Sequence, residues 1–225
     1  MKHAVCLLSG GVDSTVTAKI AMDMGYKIFA LSFDYGQRNR RELESAEKIS
    51  GWLNSMHKIF KIDLRQIGGS ALTDEIKIPA TKTPQEIKSS NKIPATYVPA
   101  RNTIFLSIAL AYAEVIDANA IFIGANSIDY SGYPDCRPKY FKRFQELSDT
   151  ATKKGVEGRG VEIKTPLLYL TKADIIKKGM ELEVPFQCTW SCYRGGEKAC
   201  GRCDSCVLRL DGFKMAGSKD PIGYE

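Results

Sequence analysis

Ser9-Gly10-Gly11-Val12-Asp13-Ser14-Thr15 is a glycine-rich turn that joins two segments with different hydrophobic patterns. Residues 3–8 before it form an apolar run, which predicts a short strand, and residues 14–24 after it carry apolar side chains near helical spacing. The backbone N–H groups and two hydroxyls of such a turn can surround an anion at the positive end of a helix. The stretch therefore predicts a strand, a tight turn and a helix, with a phosphate site between them.

The alternation of strand and helix patterns continues along the chain. Residues 27–33 and 57–62 have the pattern of strands, and residues 40–53 between them have that of a charged amphipathic helix. Repeated alternation of this kind predicts an α/β fold with a doubly wound, mostly parallel, Rossmann-like sheet. The other predicted elements are a buried helix over residues 102–116, a strand over 120–124, a helix over 141–153, and a helix over 173–182 that Thr171 and Asp174 begin as a capping box.

Residues 65–99 interrupt this alternation. They show no regular hydrophobic period and contain four prolines. Segments of this length without secondary structure are usually lids or disordered. We expect one or the other here.

Composition places the chain among ordinary globular proteins. Its 225 residues are 44% apolar and 26% charged, which suits one compact domain with a small appendage. The net charge of +6 is spread along the chain and argues weakly against a dedicated nucleic-acid face. The longest apolar stretch, residues 104–116, is shorter than the roughly 20 residues of a membrane helix. Too few apolar residues precede Ser9 for a signal peptide, so we expect a cytoplasmic protein without a membrane partner.

Five of the seven cysteines lie in one C-terminal stretch, and this crowding suggests a metal site and not disulfides. The spacing Cys192-x8-Cys200-x2-Cys203-x2-Cys206 provides four thiolates, enough for a closed tetrahedral zinc site. If residues 204–210 form a helix, Cys203 and Cys206 can point at one ion. The pattern predicts one structural zinc ion on these four cysteines.

Other interpretations of the cysteines remain open. Cys188 could replace Cys192 as the first ligand, and an iron-sulfur cluster or a redox pair would also use closely spaced cysteines. Cys6 and Cys136 are expected to bind no metal. Four flanking cations are expected to offset the charge of the thiolates: Arg194, Lys198, Arg202 and Arg209. We divide the chain into an α/β domain, residues 1–185, and a zinc-binding segment packed on it, residues 186–225.

The glycine-rich turn resembles the pyrophosphate loop of the ATP pyrophosphatases, enzymes that adenylate a substrate and release pyrophosphate. That motif reads Ser-Gly-Gly-x-Asp-Ser, and the chain meets every position of it. The resemblance implies an adenine nucleotide alpha hydrolase fold with ATP as a substrate. Asp13 is unexpected beside a polyanion unless Mg²⁺ lies between them or Asp13 orients the loop, so we expect a magnesium requirement. The implied nucleotide-binding residues are Leu8, Ser9, Gly10, Gly11, Val12, Asp13, Ser14, Thr15, Val16, Thr17 and Ala18. From residue types alone, a tight turn in which Ser14 or Asp13 merely caps the helix is also open.

Three further segments extend the resemblance to the 7-cyano-7-deazaguanine synthase family. They are Tyr-Val-Pro-Ala-Arg-Asn at residues 97–102, Gly-Ala-Asn-Ser-Ile-Asp-Tyr-Ser-Gly-Tyr-Pro-Asp-Cys-Arg at 124–137, and Thr-Pro-Leu followed by Leu-Thr-Lys-Ala-Asp within 165–174. The resemblance covers essentially the whole chain. It implies an ATP-dependent ligase that converts 7-carboxy-7-deazaguanine and ammonia to 7-cyano-7-deazaguanine in queuosine biosynthesis, through an adenylated carboxylate and an adenylated amide. It also implies two ATP per nitrile, one zinc ion per chain on the four cysteines, and a homodimer.

Residues 126–137 are expected to bind the heterocycle. A deazaguanine presents two neighbouring donors that one carboxylate can accept, and the candidates are Asp129 and Asp135. Arg137 can hold the substrate carboxylate, and Tyr130 or Tyr133 can stack on the flat rings. Asn126 is grouped with them as a substrate-binding residue. Without the family resemblance, an ordinary turn with a solvated aspartate is about as good an interpretation.

Arg101 and Lys172 are the candidates for neutralising charge on the α-phosphate and the departing pyrophosphate, because adenylation depends mainly on positioning and electrostatics. Asp13 is grouped with them as a catalytic residue. Either cation could instead be an ordinary surface charge. No residue has to act as a nucleophile, and 225 residues leave no room for a glutaminase domain, so free ammonia is the expected nitrogen source. His3 and His57 are assigned to packing.

Two other functions share these motifs. A tRNA-thiolating enzyme would use the same adenylating loop but needs a reactive cysteine and an RNA-binding extension, and the chain shows no such extension. A zinc-stabilised regulator that binds nucleotide without catalysis is the second. Binding of ATP without release of pyrophosphate would favour the regulator.

Overall fold

The structure, a computed structural model, describes residues 1–78, 83–89, 92–128 and 132–225. In these ranges five strands form one sheet, all parallel, in the order β3-β2-β1-β4-β5. The strands are β1 (Lys2–Leu7), β2 (Tyr26–Asp34), β3 (Met56–Lys61), β4 (Ala120–Phe122) and β5 (Glu162–Lys164). Each predicted strand is present, and the three-residue β5 was missed because it is too short to show a period.

Helices connect the strands. They are α1 (Val12–Asp23), α2 (Arg41–Trp52), α3 (Pro84–Ser89), α4 (Arg101–Val115), α5 (Pro138–Ala151), α6 (Lys153–Val156), α7 (Lys172–Glu181) and α8 (Asp204–Met215). The helices predicted over residues 14–24, 40–53, 102–116, 141–153 and 173–182 are present as α1, α2, α4, α5 and α7, each within about three residues of its predicted bounds. The short α3 and α6 were not predicted. None of the helices in the described ranges combines the length and apolar character needed to cross a bilayer.

The central strand β1 alternates its side chains between two apolar layers, as the period of a strand requires. Val5 and Leu7 pack with residues of α4 on one face of the sheet. Ala4 and Cys6 pack with residues of α1 and α2 on the other. Helices therefore cover both faces, and the predicted doubly wound α/β fold is confirmed.

Strand β1 is also the point at which the order of the strands reverses. The chain proceeds from β1 outward through β2 and β3, then returns to the other side of β1 with β4 and β5. In open α/β sheets, ligands bind in the crevice outside the carboxyl ends of the strands at such a point. The glycine-rich turn at residues 9–15 follows β1 at this crevice.

Residues 65–99 are partly built into the core. Leu72 packs in the apolar layer beneath α4, and Ala71 packs against the C-terminal cysteines. The Ala71 N–H donates to the Ala95 carbonyl oxygen at 2.7 Å. The expectation of a lid or a disordered loop is therefore wrong for residues 71–72, because tertiary contacts bury them without any regular spacing in the sequence.

The C-terminal segment packs on the α/β domain. Phe186 and Phe213 share an apolar cluster with Val12 and Val16 of α1. The backbone N–H of Trp190 donates to the Gly10 carbonyl oxygen at 2.9 Å. The segment thus packs against the glycine-rich turn, while the division of the chain at residue 186 stays a prediction.

Candidate active site

The glycine-rich turn is held by hydrogen bonds among its own groups. The Oγ atoms of Ser9 and Ser14 lie 3.0 Å apart, and the Thr15 hydroxyl donates to the Gly11 carbonyl oxygen at 2.8 Å. Helix α1 begins at Val12, and its N-cap residue Gly11 has no side chain that could cap the first turn. The Ser14 Oγ accepts the Ser9 N–H at 3.2 Å instead of an N–H of the helix, and the N–H groups at the start of α1 suit an anion in the cleft.

Of the residues expected to bind nucleotide, those in the turn line the cleft and those further along α1 do not. Leu8, Ser9 and residues 11–14 lie on the wall of the cleft. Thr15, Val16, Thr17 and Ala18 are buried among packing residues of α1. Gly10 does not line the cleft; it is the residue of the turn that packs against α2.

Gly10 is required by a close approach as well as by its backbone conformation. Its φ is +80°, and a Cβ there would lie 2.4 Å from the Glu42 carbonyl oxygen and 2.6 Å from the Ala46 nitrogen. Real Cβ atoms essentially never approach non-bonded atoms this closely, so a side chain would push the turn away from α2. Because Gly10 has no side chain, the glycine-rich turn can pack directly against the first two helical turns of α2.

Gly10→Ala is expected to destabilise the protein more than Gly25→Ala. Gly25 has the same left-handed backbone, with φ +83°, but nothing lies within 4 Å of its missing Cβ. Gly25→Ala should lower the free energy of unfolding by about 1–2 kcal/mol from backbone strain, and Gly10→Ala by about 1–3 kcal/mol more from overpacking. Urea unfolding of the two variants measures the difference, and equal losses would contradict the close approach.

The end of β4 comes up against the same turn. A Cβ on Gly124 would lie 2.9 Å from the backbone of Asp13 and Ser14. Two residues on, the buried Asn126 accepts the Ile128 N–H at 2.8 Å and donates to the Leu170 carbonyl oxygen. Asn126 lines the cleft and also joins the loop after β4 to the loop before α7.

Lys172 and Asp13 both line the cleft and form an ion pair there. The Lys172 Nζ lies 2.6 and 2.7 Å from the two carboxylate oxygens of Asp13. Lys172 is the first residue of α7, whose start is fixed by the predicted capping box of Thr171 and Asp174, which is confirmed. Lys172 thus offsets the negative charge of Asp13 directly, whereas the sequence led us to expect Mg²⁺ in that role.

Arg101 and Glu42 face the cleft from opposite helices. Arg101 begins α4, and its Nη1 lies 3.5 Å from the Tyr35 hydroxyl. Glu42 lies in the first turn of α2 and also lines the cleft. Burial raises the pKa of the Glu42 carboxyl to about 7; the Arg101 guanidinium opposes this rise, and the Cys192 thiolate adds to it. The cleft therefore presents a fixed cation and a carboxyl group that titrates near neutrality.

Only some of the residues expected to bind the heterocycle line the cleft. Asn126 and Tyr133 line the cleft, and the Tyr133 hydroxyl lies 2.9 Å from the Thr96 Oγ1. Asp135 is buried and does not line it; one of its oxygens accepts the Asn102 N–H at 3.0 Å. Arg137 is exposed before α5 and does not line it either. Asp129, like Tyr130, lies outside the described residues.

Several cleft residues were not expected from the sequence. Trp190, Ser191 and Tyr193 line the cleft from a segment to which the sequence assigns only a metal. Glu42 had a usable signal, because it precedes the buried Ser45 and Ala46 by three and four positions. That spacing puts a carboxylate on the buried face of an amphipathic helix.

The four predicted metal ligands come together. The Sγ atoms of Cys192, Cys200, Cys203 and Cys206 all lie within 4.8 Å of one another, and all four residues are buried. The Sγ atoms of Cys200 and Cys206 are 4.0 Å apart, close to the ~3.8 Å between two thiolates on a tetrahedral zinc ion with 2.3 Å bonds. The cluster therefore fits one metal ion, and the alternative with Cys188 as the first ligand is wrong.

Backbone amides support the cluster, as short loops allow. The Cys200 and Arg194 N–H groups donate to the Cys192 Sγ at 3.3 and 3.4 Å. Arg209, expected to offset the thiolate charge, is instead buried in a bidentate pair with Asp220, at 2.7 and 3.0 Å. The Tyr224 hydroxyl donates to the same carboxylate at 2.6 Å, so this pair holds the C-terminal tail on α8.

Comparisons with known proteins identify relatives of this chain. The family model for queuosine biosynthesis protein QueC matches residues 3–217. The 7-cyano-7-deazaguanine synthase of Picrophilus torridus is 58% identical over 226 residues, covering 100% of this chain and 92% of that protein. The enzyme of the same name from Acetivibrio thermocellus is 56% identical over 226 residues, covering 100% of this chain and 98% of that protein.

A solved structure extends the comparison to the fold. The NMN synthetase of Francisella tularensis superimposes with a TM-score of 0.52 at 17% identity, covering 97% of this chain and 78% of that one. This likeness concerns the fold alone, and it agrees with the predicted α/β fold. The family follows from the sequence matches: this chain belongs to the QueC family of queuosine biosynthesis proteins.

Proposed function

We propose that this chain is an ATP-dependent carbon-nitrogen ligase that converts 7-carboxy-7-deazaguanine and ammonia to 7-cyano-7-deazaguanine in queuosine biosynthesis. The observation that carries the proposal is the full-length match to relatives named 7-cyano-7-deazaguanine synthase, at up to 58% identity. The cleft supports it, because an uncapped helix start, Lys172 and Arg101 surround one space at the carboxyl ends of β1 and β4.

The first step is adenylation of the substrate carboxylate. The turn at residues 9–14 and the start of α1 bind the β- and γ-phosphates, while Arg101 and Lys172 neutralise charge on the α-phosphate and the departing pyrophosphate. A carboxylate oxygen attacks the α-phosphorus, and the bond from that phosphorus to pyrophosphate breaks. Asp13 holds Lys172 in place through the 2.6 Å ion pair.

The nitrogen enters next, and adenylation is then repeated. Ammonia forms a bond to the acyl carbon, AMP leaves with one former carboxylate oxygen, and the product is an amide. The amide oxygen then attacks the α-phosphorus of a second ATP, and the bond from that phosphorus to pyrophosphate breaks. AMP leaves with that oxygen while the nitrogen loses its two protons, which gives the nitrile.

The heterocycle is proposed to lie beside Tyr133, which can stack on its rings, with Asn126 at the edge of the cleft. Asp129 stays the proposed acceptor for the two neighbouring donors of the deazaguanine. Asp135 is proposed to act from behind the cleft, since it holds the start of α4, where Arg101 lies.

One zinc ion on the four cysteines is proposed as a structural group, and Mg²⁺ as the companion of ATP. A closed four-thiolate site leaves no open position for substrate, so the zinc ion supplies stability to the wall that carries Trp190 and Tyr193. A cytoplasmic homodimer that binds small molecules, and no nucleic acid directly, is proposed from the family resemblance.

The test is a mass-spectrometric assay with 7-carboxy-7-deazaguanine, ATP, Mg²⁺ and ammonium, following AMP, pyrophosphate and the heterocycle. Formation of the nitrile with AMP and pyrophosphate is the expected result. AMP release without nitrile would keep adenylation and point to another acceptor, with tRNA thiolation tested next. No turnover by folded, zinc-loaded protein would contradict the proposal and favour a nucleotide-binding regulator.

A further inference from the structure

Two acidic side chains line the cleft among the described residues, and they differ in their partners. Asp13 is held by Lys172 at 2.6 Å. Glu42 lines the cleft from the first turn of α2, and its carboxylate makes no hydrogen bond or ion pair with any residue in the described ranges. A half-buried carboxylate without a partner has lost part of its hydration. A cation that enters the cleft would therefore stabilise its negative charge.

The groups around Glu42 come from three other elements. Arg101 faces it from α4, Tyr35 from the end of β2, and Cys192 from the C-terminal segment. Arg101 forms no ion pair with Glu42; its Nη1 lies 3.5 Å from the Tyr35 hydroxyl, and its proposed ligand is the α-phosphate. The charge of Glu42 is therefore left for another ligand.

Aromatic side chains also line the cleft, and two of them already carry a cation. Tyr35, Trp190 and Tyr193 lie on its wall, and the guanidinium carbons of Arg41 and Arg101 lie 4.2 and 5.9 Å from the ring centroids of Trp190 and Tyr35. The Glu42 carboxylate is therefore the group that attracts an ammonium ion here, and it does so more strongly where water is partly excluded.

Ammonium cannot attack an adenylated carboxylate, because its nitrogen has no lone pair. We propose that Glu42 binds the ammonium ion and accepts one of its protons, so that ammonia is released beside the acyl carbon. This inference rests on the proposed function. The nitrogen then forms the C–N bond, the C–O bond to AMP breaks, and a second proton leaves the nitrogen for water, as does the proton on Glu42 before the next turnover.

Glu42→Gln tests this role, with Glu44→Gln as the matched control. Glutamine keeps the size of the side chain and removes its charge, while Glu44 is exposed in the same first turn of α2. For Glu42→Gln, kcat/KM for ammonium at pH 7 is expected to fall by about 100-fold or more, the range of one acid-base group. Glu44→Gln is expected to match the unsubstituted chain, and Glu42→Asp to recover part of the loss.

Two further readouts separate this role from a structural one. Adenylation without ammonium, followed as pyrophosphate release in a single turnover, is expected to be unchanged in Glu42→Gln. Hydroxylamine, which is largely neutral at pH 7, is expected to react with the adenylated substrate almost as fast in Glu42→Gln as in the unsubstituted chain.

Loss of adenylation together with ammonium use would overturn the inference, because Glu42 would then serve ATP or the heterocycle. An equal loss with hydroxylamine would overturn it as well. Adenylation by the unsubstituted chain is measured first, since its absence would refute the proposed function itself.

Discussion

Replacing Lys172 with methionine is expected to lower kcat for nitrile formation by about 100- to 1,000-fold, the usual effect of removing one preorganised charge from a transition state. Lys172 is buried, and its Nζ lies 2.6 and 2.7 Å from the Asp13 carboxylate oxygens. The substitution removes a cation from the cleft and also leaves the negative charge of Asp13 facing the phosphates. Both changes raise the energy of the departing pyrophosphate.

Lys177→Met is the matched control, because Lys177 is exposed on the same helix. It should change neither kcat nor the thermal midpoint. Asp13→Asn is expected to cost less than Lys172→Met, since it keeps the cation and removes the charge that repels phosphate. Similar rates for Lys172→Met and Lys177→Met would contradict the assigned role.

Cys200→Ala is expected to damage folding more than any one chemical step. It opens a closed four-thiolate site in which the Sγ atoms lie within 4.8 Å of one another. Apparent binding energies of structural zinc are about 10–16 kcal/mol in small peptides, as large as the ~5–15 kcal/mol stability of a typical domain. We expect loss of bound metal and a thermal midpoint lowered by many degrees, or insoluble protein.

Cys188→Ala is the control for this prediction. Cys188 is half-buried and lies outside the four-cysteine cluster. Its replacement should keep stoichiometric zinc and a nearly unchanged thermal midpoint. A soluble Cys200→Ala variant that keeps one zinc ion per chain and melts normally would refute a structural role for the cluster.

The sequence was sufficient to predict the longer elements of the fold because their patterns are local, whereas the short α3, α6 and β5 were missed. The run before Ser9, the glycines after it and the capping box at Thr171 are each determined by neighbouring residues. The burial of Leu72 was not predictable in this way, since contacts from distant strands place it in the core.

The candidate site also has a part that local sequence patterns predict and a part that they do not. The cysteine spacing was enough to bring four thiolates together, because the ligands lie within fifteen residues and point at one ion. The roles of Asp135 and Arg137 depend on where the loop after β4 turns relative to the cleft. No local pattern sets that direction, and the structure turns Asp135 toward the Asn102 N–H.

The most direct test of the account follows oxygen from the substrate. 7-Carboxy-7-deazaguanine carrying oxygen-18 in both carboxylate positions is turned over with ATP and ammonium, and AMP is analysed by mass spectrometry. If the chain adenylates first the carboxylate and then the amide, two AMP molecules form per nitrile, and each carries one oxygen-18. Unlabelled AMP, or label found in inorganic phosphate with ADP as the other product, would contradict adenylation in this cleft.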